Sequence, residues 1–302
     1  MASLRLPDPD DYGFVDVAGV VIAWDSFGHG DSAVLVVPTW NFVDSRVSAS
    51  LVRDLSREFR VVTFDPRGAG RSDRPPTGYR LEDHLADAVA VMRDTDLARA
   101  SVVAGSSGAN VAALLAARLP VRIERLVLIG PAIEVPSSAT LDDADDDTEF
   151  WTERPSYEGW ERWSAPYWRQ DWPGFARWFL QEAFPEPDSG EVIDAILGIA
   201  LEADPEILIE QHREQHQERA AVSAVLGEIV SRTLVVHGAL DRSVPIAVAV
   251  EVAAAIPSAV LAVAIDGGHR PDIRSPQLID PLVRDFLLGR QLRTPPRIEI
   301  RQ

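Results

Sequence analysis

The chain has 302 residues, a net charge of −18, 46% hydrophobic residues and no cysteine, and all 29 of its basic residues are arginine. At roughly 150 residues per domain, this length allows two small domains or one large α/β domain with an insertion. The composition excludes disulfides, thiolate catalysis, zinc–thiolate sites, lysine Schiff bases and a P-loop lysine, and so acidic a surface repels phosphate backbones, which argues against a nucleic-acid partner.

Residues 1–14 contain no apolar core of signal-peptide length, so the expected location is cytoplasmic. Gly13–Phe27 reads as an antiparallel hairpin at a sheet edge. Ala33–Val37 is a buried strand, followed by an amphipathic segment over Arg46–Phe59. Val61–Phe64 is the next strand and runs into Asp65-Pro66-Arg67-Gly68-Ala69-Gly70, a breaker-rich loop. Leu81–Met92 has helical periodicity. Ser101–Ala104 is a strand that leads through Gly105-Ser106-Ser107-Gly108 into an Ala/Leu-rich stretch ending at Pro120. Leu126–Ile129 is a strand closed by Gly130-Pro131.

The alternation then stops, and from about 133 to 227 there is no strand signal. The acidic run Asp142-Asp143-Ala144-Asp145-Asp146-Asp147 reads as a solvated linker. Residues 151–178 hold six of the eight tryptophans, and helical segments fill 191–227. Strands return at Thr233–Val236 and Val260–Ile265, with a helix over Ile246–Ile256 between them. A closing helix lies near Pro276–Leu288, and the tail 294–302 has no helix signal. The longest apolar tract, Pro245–Ile265, is interrupted by Glu251 and Pro257, so no bilayer span is expected. Strands separated by helices imply an α/β fold, a mostly parallel sheet with helices on both faces. The expected division is a core of 1–134 and 228–302 with a helical cap of 135–227.

A hydroxyl nucleophile on a strand-to-helix turn needs small residues two places before and two after it. Two registers satisfy this rule: Ser106 between Ala104 and Gly108, and Ser107 between Gly105 and Ala109. Asp241 lies just past the strand Thr233–Val236, where an aspartate otherwise serves as a turn or cap residue. His269 follows Asp266-Gly267-Gly268 on the loop after the next strand.

With these residues the chain resembles the α/β-hydrolase superfamily, in particular its single-domain serine hydrolases with a Trp-rich helical cap. The resemblance covers nearly all of the chain outside the cap. It selects Ser106, because Ala116-Ala117-Arg118-Leu119-Pro120 then matches the helix after the family's nucleophile without a gap; Ser107 remains the alternative. It implies Ser106 as nucleophile, His269 as general base and Asp241 as the acid that orients and stabilises the imidazolium. Activity should then fall on the acid side, as His269 gains a proton.

The resemblance also implies an oxyanion hole built from the backbone N–H groups of Ser107 and, by position, Trp40. Here Pro38-Thr39-Trp40-Asn41 departs from the family's His-Gly-x, and Trp40 reads equally as pocket wall or plain core. Asp65-Pro66-Arg67-Gly68-Ala69-Gly70-Arg71-Ser72-Asp73 matches the family's Asp-x-Arg-Gly-x-Gly-x-Ser loop, for which a structural role is expected, with Arg67 paired to nearby acids. Thr39, Asn41, Trp160, Trp163 and Trp168 are candidate substrate contacts, although cap indoles also pack the cap onto the core. His212 and His216 are four apart, a spacing able to bind metal, but the run lacks the His-Glu-x-x-His order; a solvated cap helix is expected, with no metal and no organic cofactor.

The implied function is hydrolysis of a carboxylic ester or thioester of a largely apolar small molecule through an acyl-enzyme on Ser106. Acyl transfer, cyclisation or carbon–carbon bond cleavage in secondary metabolism would use the same triad, and non-catalytic ligand binding is the reading from another class. Monomer and homodimer are both compatible with the sequence.

Overall fold

A computed structural model of the chain describes residues 4–136, 148–292 and 296–301. The acidic run 142–147, expected to be a linker, lies outside the described residues.

The first part of the chain forms β1 (Asp11–Val17), β2 (Val20–Phe27), β3 (Ala33–Val37), α1 (Ala49–Leu55), β4 (Arg60–Phe64), α2 (Leu81–Asp94), β5 (Ala100–Gly105), α3 (Gly108–Arg118) and β6 (Ile123–Ile129). Helices follow: α4 (Thr148–Trp151), α5 (Ala165–Gln170), α6 (Trp172–Ala183), α7 (Gly190–Ala200) and α8 (Pro205–Val225). The chain then returns as β7 (Arg232–Gly238), α9 (Ile246–Ala255), β8 (Ala259–Ala264), α10 (Pro271–Arg274), α11 (Pro276–Leu287) and β9 (Ile298–Arg301).

The strands form one nine-stranded sheet in the order β1-β2-β4-β3-β5-β6-β7-β8-β9. From β4 to β8 every pairing is parallel. The hairpin β1–β2 joins β4 antiparallel, and β9 joins β8 antiparallel. Successive residues of the inner strands point to opposite faces, so both faces of each strand must be apolar. Val102, Leu126 and Leu128 pack under α2, α3 and α9 beside Leu85, Leu115 and Val252. Val103, Val127 and Ile129 pack under α1 and α11 beside Leu55, Val283 and Phe286.

Two segments depart from their expected form. The amphipathic Arg46–Phe59 segment is α-helical only over Ala49–Leu55; it is preceded by a tight 3-10 turn, Ser45–Ser48, capped by the Asp44 carboxylate, which accepts the Arg46 N–H at 3.0 Å. The tail, which has no helix signal, contributes a strand: Ile298 is buried against the α1/α11 face and β9 covers the edge of β8.

The 148–228 stretch contains helices and no strand among its described residues. Its core is a separate apolar cluster centred on Trp168, Trp172, Phe175 and Ile196, joined from the sheet side by Phe42 and Val47. The long helix α8 is fastened to the start of α2. The Glu214 carboxylate accepts the N–H groups of Gly78 and Tyr79, and Glu218 accepts that of Leu81. These are amides around the start of a helix that lack intrahelical acceptors, so a carboxylate is well placed there.

Candidate active site

The centre of the sheet presents a strained turn. Ser106 follows β5 directly and adopts φ +52°, in the left-handed region that non-glycine residues rarely enter. Such strain costs about 1–3 kcal/mol and needs support from its surroundings. The Ser106 N–H donates to the Ile129 carbonyl at 2.9 Å, and the Ser106 carbonyl accepts the N–H groups of Ala109 and Ala132. Gly108 lies against the loop after β3, where a Cβ would stand 2.3 Å from the Pro38 carbonyl oxygen. This close approach explains why the position two after Ser106 is a glycine.

His269 reaches this turn from the loop after β8. Its Nε2 lies 2.8 Å from Ser106 Oγ, and its Nδ1 lies 2.7 Å from Asp241 Oδ2. The contact is to Ser106 and not to Ser107, which instead starts α3 in helical conformation. The Asp241 side chain is fully buried. Its second oxygen accepts the N–H groups of Ser243 and Val244 at 2.8 and 2.9 Å, which fixes the orientation of the carboxylate. Three residues from separate loops thus converge in one hydrogen-bonded line.

His237 is a second imidazole beside Asp241. It is wholly buried, its Nε2 is 3.0 Å from the Val244 carbonyl oxygen and 3.4 Å from Asp241 Oδ2. Burial pushes its pKa down, so the ring is neutral and its Nε2–H donates to the Val244 carbonyl. His237 therefore braces the turn that carries Asp241.

A cavity of about 50 Å³ opens at Ser106 and His269, walled by Thr39, Trp40, Phe42, Phe179, Leu180, Phe184 and Ile196 among others. Its walls are mainly apolar; Arg270, also at its edge, is engaged by Asp272 through two hydrogen bonds of 2.8 and 2.7 Å. The N–H groups of Ser107 and Trp40 have no acceptor among the described residues. The Trp40 ring both walls the cavity and stacks on Phe42 (5.1 Å) and Trp163 (5.0 Å), so its two sequence readings hold together.

Of the other candidate substrate contacts, Thr39 lines the cavity and Asn41, Trp160, Trp163 and Trp168 do not. Asn41 is turned inward, its Nδ2 donating to the Arg67 carbonyl at 2.7 Å. Trp160 is 40% exposed and meets Trp178 edge-on, while Trp168 is buried inside the aromatic cluster. Trp163 stands behind Trp40 rather than at the cavity. The residues that do face Ser106 from α6 are Phe179, Leu180 and Ala183. The signal for them was the apolar stripe of α6, which sequence periodicity shows without revealing what it meets.

The breaker-rich loop after β4 is a buried polar joint. Arg67 forks onto Asp87 of α2 at 2.7 and 2.6 Å and donates to the Gly78 carbonyl. Asp65 accepts from Ser45 and Arg71. His212, expected on a solvated face, is instead buried and stacked on Phe150. Among the described residues no group of three His, Asp or Glu could hold a metal ion, and no helix is long and apolar enough to cross a membrane.

The sequence pattern described as the alpha/beta hydrolase fold matches residues 33–271. The 2-hydroxymuconate semialdehyde hydrolase of Pseudomonas putida is 27% identical over 250 residues, 77% of this chain and 78% of that protein. A protein of Caulobacter segnis named as the carbamate hydrolase RutD is 35% identical, but the match spans 37% of this chain and only 39% of that protein. Among solved structures, the enol-lactonase of Burkholderia xenovorans LB400 superimposes with a TM-score of 0.72 at 24% identity, covering 91% of this chain and 100% of that one. At that identity the likeness speaks to the fold alone.

Proposed function

The chain belongs to the alpha/beta hydrolase fold family, and from that premise we propose that it is a serine hydrolase acting on a carboxylic ester or thioester of a largely apolar small molecule. The observation that carries this reading is the unbroken line Ser106–His269–Asp241, with contacts of 2.8 and 2.7 Å. The 135–227 insertion acts as the cap, and its helix α6 supplies one wall of the acyl site.

A serine hydroxyl is too weak an acid to attack unaided. His269 Nε2 takes the Ser106 proton as Oγ bonds to the acyl carbon. Asp241, accepting from Nδ1–H, holds the tautomer and stabilises the imidazolium that forms. The carbonyl oxygen gains the electron pair and is met by the N–H groups of Ser107 and Trp40; each such donor is worth about 10²–10³-fold in rate. Collapse of the tetrahedral adduct breaks the bond to the alkoxide or thiolate, which leaves with the proton from His269. Water then adds to the acyl-enzyme by the same route, with His269 again as base, and the acid is released.

The apolar lining supports an acyl group without charge, since Arg270 at its edge is already paired with Asp272. A cavity of about 50 Å³ is small against the usual 300–1,000 Å³ of ligand sites, which favours short acyl chains. The test is a series of p-nitrophenyl esters and acyl thioesters of increasing chain length. Turnover greatest for short chains, with a burst of nitrophenol equal to the enzyme concentration if deacylation is the slower step, and no turnover by Ser106→Ala, is the expected result. Equal turnover by wild type and Ser106→Ala would overturn the reading.

A further inference from the structure

The loop that delivers His269 is held by the cap as well as by the sheet. The His269 N–H donates to the carbonyl of Ala183, the last residue of α6, at 2.8 Å. The preceding Gly268 N–H donates to Glu186 Oε1 at 2.6 Å. On the far side of His269, Arg274 donates to Ser189 Oγ at 3.0 Å and to the Pro187 carbonyl at 2.8 Å. Residues 183–189, the junction between α6 and α7, thus grip residues 268–274 at four points.

Glu186 is the unusual member of this clamp. It is only 9% exposed, and its second oxygen, Oε2, has no hydrogen-bond partner among the described residues. A carboxylate that far from water is costly, and one backbone N–H offsets only part of the cost. A charge-assisted bond is, however, shorter and roughly twice as strong as a neutral one. Gly268 fits this arrangement, because a Cβ there would stand 2.5 Å from the Ala183 carbonyl oxygen and 3.0 Å from Glu186 Oε2. The same end of α6 places Leu180 and Ala183 on the cavity wall. One segment therefore touches the acyl site and sets the backbone of the general base.

We infer that Glu186 is a positioning residue for His269, coupling the cap to the triad through the Gly268 N–H. The inference rests on the serine-hydrolase reading for its kinetic consequence, but its structural part does not. An error of about 1 Å in placing a catalytic group costs on the order of 10²-fold in rate.

The test compares wild type with Glu186→Ala, Glu186→Gln and Gly268→Ala, each first checked for a cooperative thermal melt. Two quantities are read: the rate of covalent labelling by a fluorophosphonate, and the downfield proton resonance of the His269 Nδ1–H bound to Asp241, identified by its loss in His269→Ala. Glu186→Ala should slow labelling about 10²-fold and shift or broaden the resonance. Glu186→Gln keeps an acceptor oxygen and should stay within a few-fold of wild type. Where Glu186→Ala does not fold, Gly268→Ala carries the test, since its added Cβ drives the loop off Ala183, and the same loss is expected. An unchanged rate and resonance in the alanine variants, or Glu186→Gln behaving like Glu186→Ala, would overturn the inference. If wild type itself is never labelled, the serine-hydrolase reading fails, and the resonance in the free protein still decides the role of Glu186.

Discussion

The three residues of the Ser106–His269–Asp241 line should not contribute equally to turnover. Ser106→Ala and His269→Ala should each lower turnover by about 10⁴-fold or more, because they act as one unit. Asp241→Asn should cost less than either, with the Ser243 and Val244 N–H groups still holding the side chain in place. Steady-state rates on the best ester decide this order, and equal losses at all three positions would contradict it. The sequence marks these positions locally, by a small-residue turn, an aspartate past a strand end and a histidine after two glycines, but the turn alone leaves Ser106 and Ser107 both open, and it is the family resemblance that selects Ser106 and implies the three roles. Phe179 and Glu186 carry no such local mark. Which face of α6 meets Ser106 is settled by tertiary packing, and a lone glutamate between two prolines has no spacing rule to betray it.

At the scale of elements, the loop after β4 and the helix α2 depend on a buried charge pair. Arg67 and Asp87 have side chains only 5% and 0% exposed. Burial raises the Asp87 pKa and the bonded Arg67 opposes that rise, so removing the arginine strands a carboxylate in an apolar setting. Arg67→Ala should therefore cost about 3–5 kcal/mol in urea unfolding, while Arg67→Met with Asp87→Leu should recover most of it. A single-variant loss under 1 kcal/mol would show that the joint is hydrated. The strands were the most legible elements, since Val/Leu/Ile runs bounded by Gly and Pro need few tertiary cues. The strand β9 was missed because Ile298 and Ile300 give one period of alternation, too short to distinguish from a tail. The long helix α8 shows why His212 departs from the solvated face expected of it: the helix packs on α2, α3 and α5, so His212, Gln211 and Gln215 are buried by partners that lie far away in sequence.

At the scale of the whole molecule, pH should act on stability through a group remote from the triad. Burial in α11, reinforced by the nearby Asp272 and Asp54, pushes the Asp280 carboxyl up to about 8 from an unfolded value of 3.8. Between those values the folded state alone keeps the proton, so stability falls as pH rises from about 4 to about 8 and levels beyond. Asp280→Asn keeps an acceptor for the Ser50 hydroxyl, now 2.7 Å from the carboxyl, and should flatten this decline. The expected gain at pH 8 is on the order of a few kcal/mol, read as a melting temperature that separates from wild type as pH is raised. Parallel melting curves from pH 5 to 9 would contradict it. The fold class, a mostly parallel sheet with helices around it, was visible in the alternation of strands and helices, whereas the order of the strands in the sheet and this long-range electrostatic coupling exist only in the packed structure.

Activation of Ser106 is read by intact-mass analysis after fluorophosphonate treatment. Wild type and Ser107→Ala should each gain one adduct, and Ser106→Ala and His269→Ala should gain none in the same time. An adduct that persists in Ser106→Ala, or that disappears only with Ser107, would contradict the assignment of the nucleophile. A wild-type protein that takes up no adduct would contradict the claim that the line from Asp241 through His269 activates a serine at all.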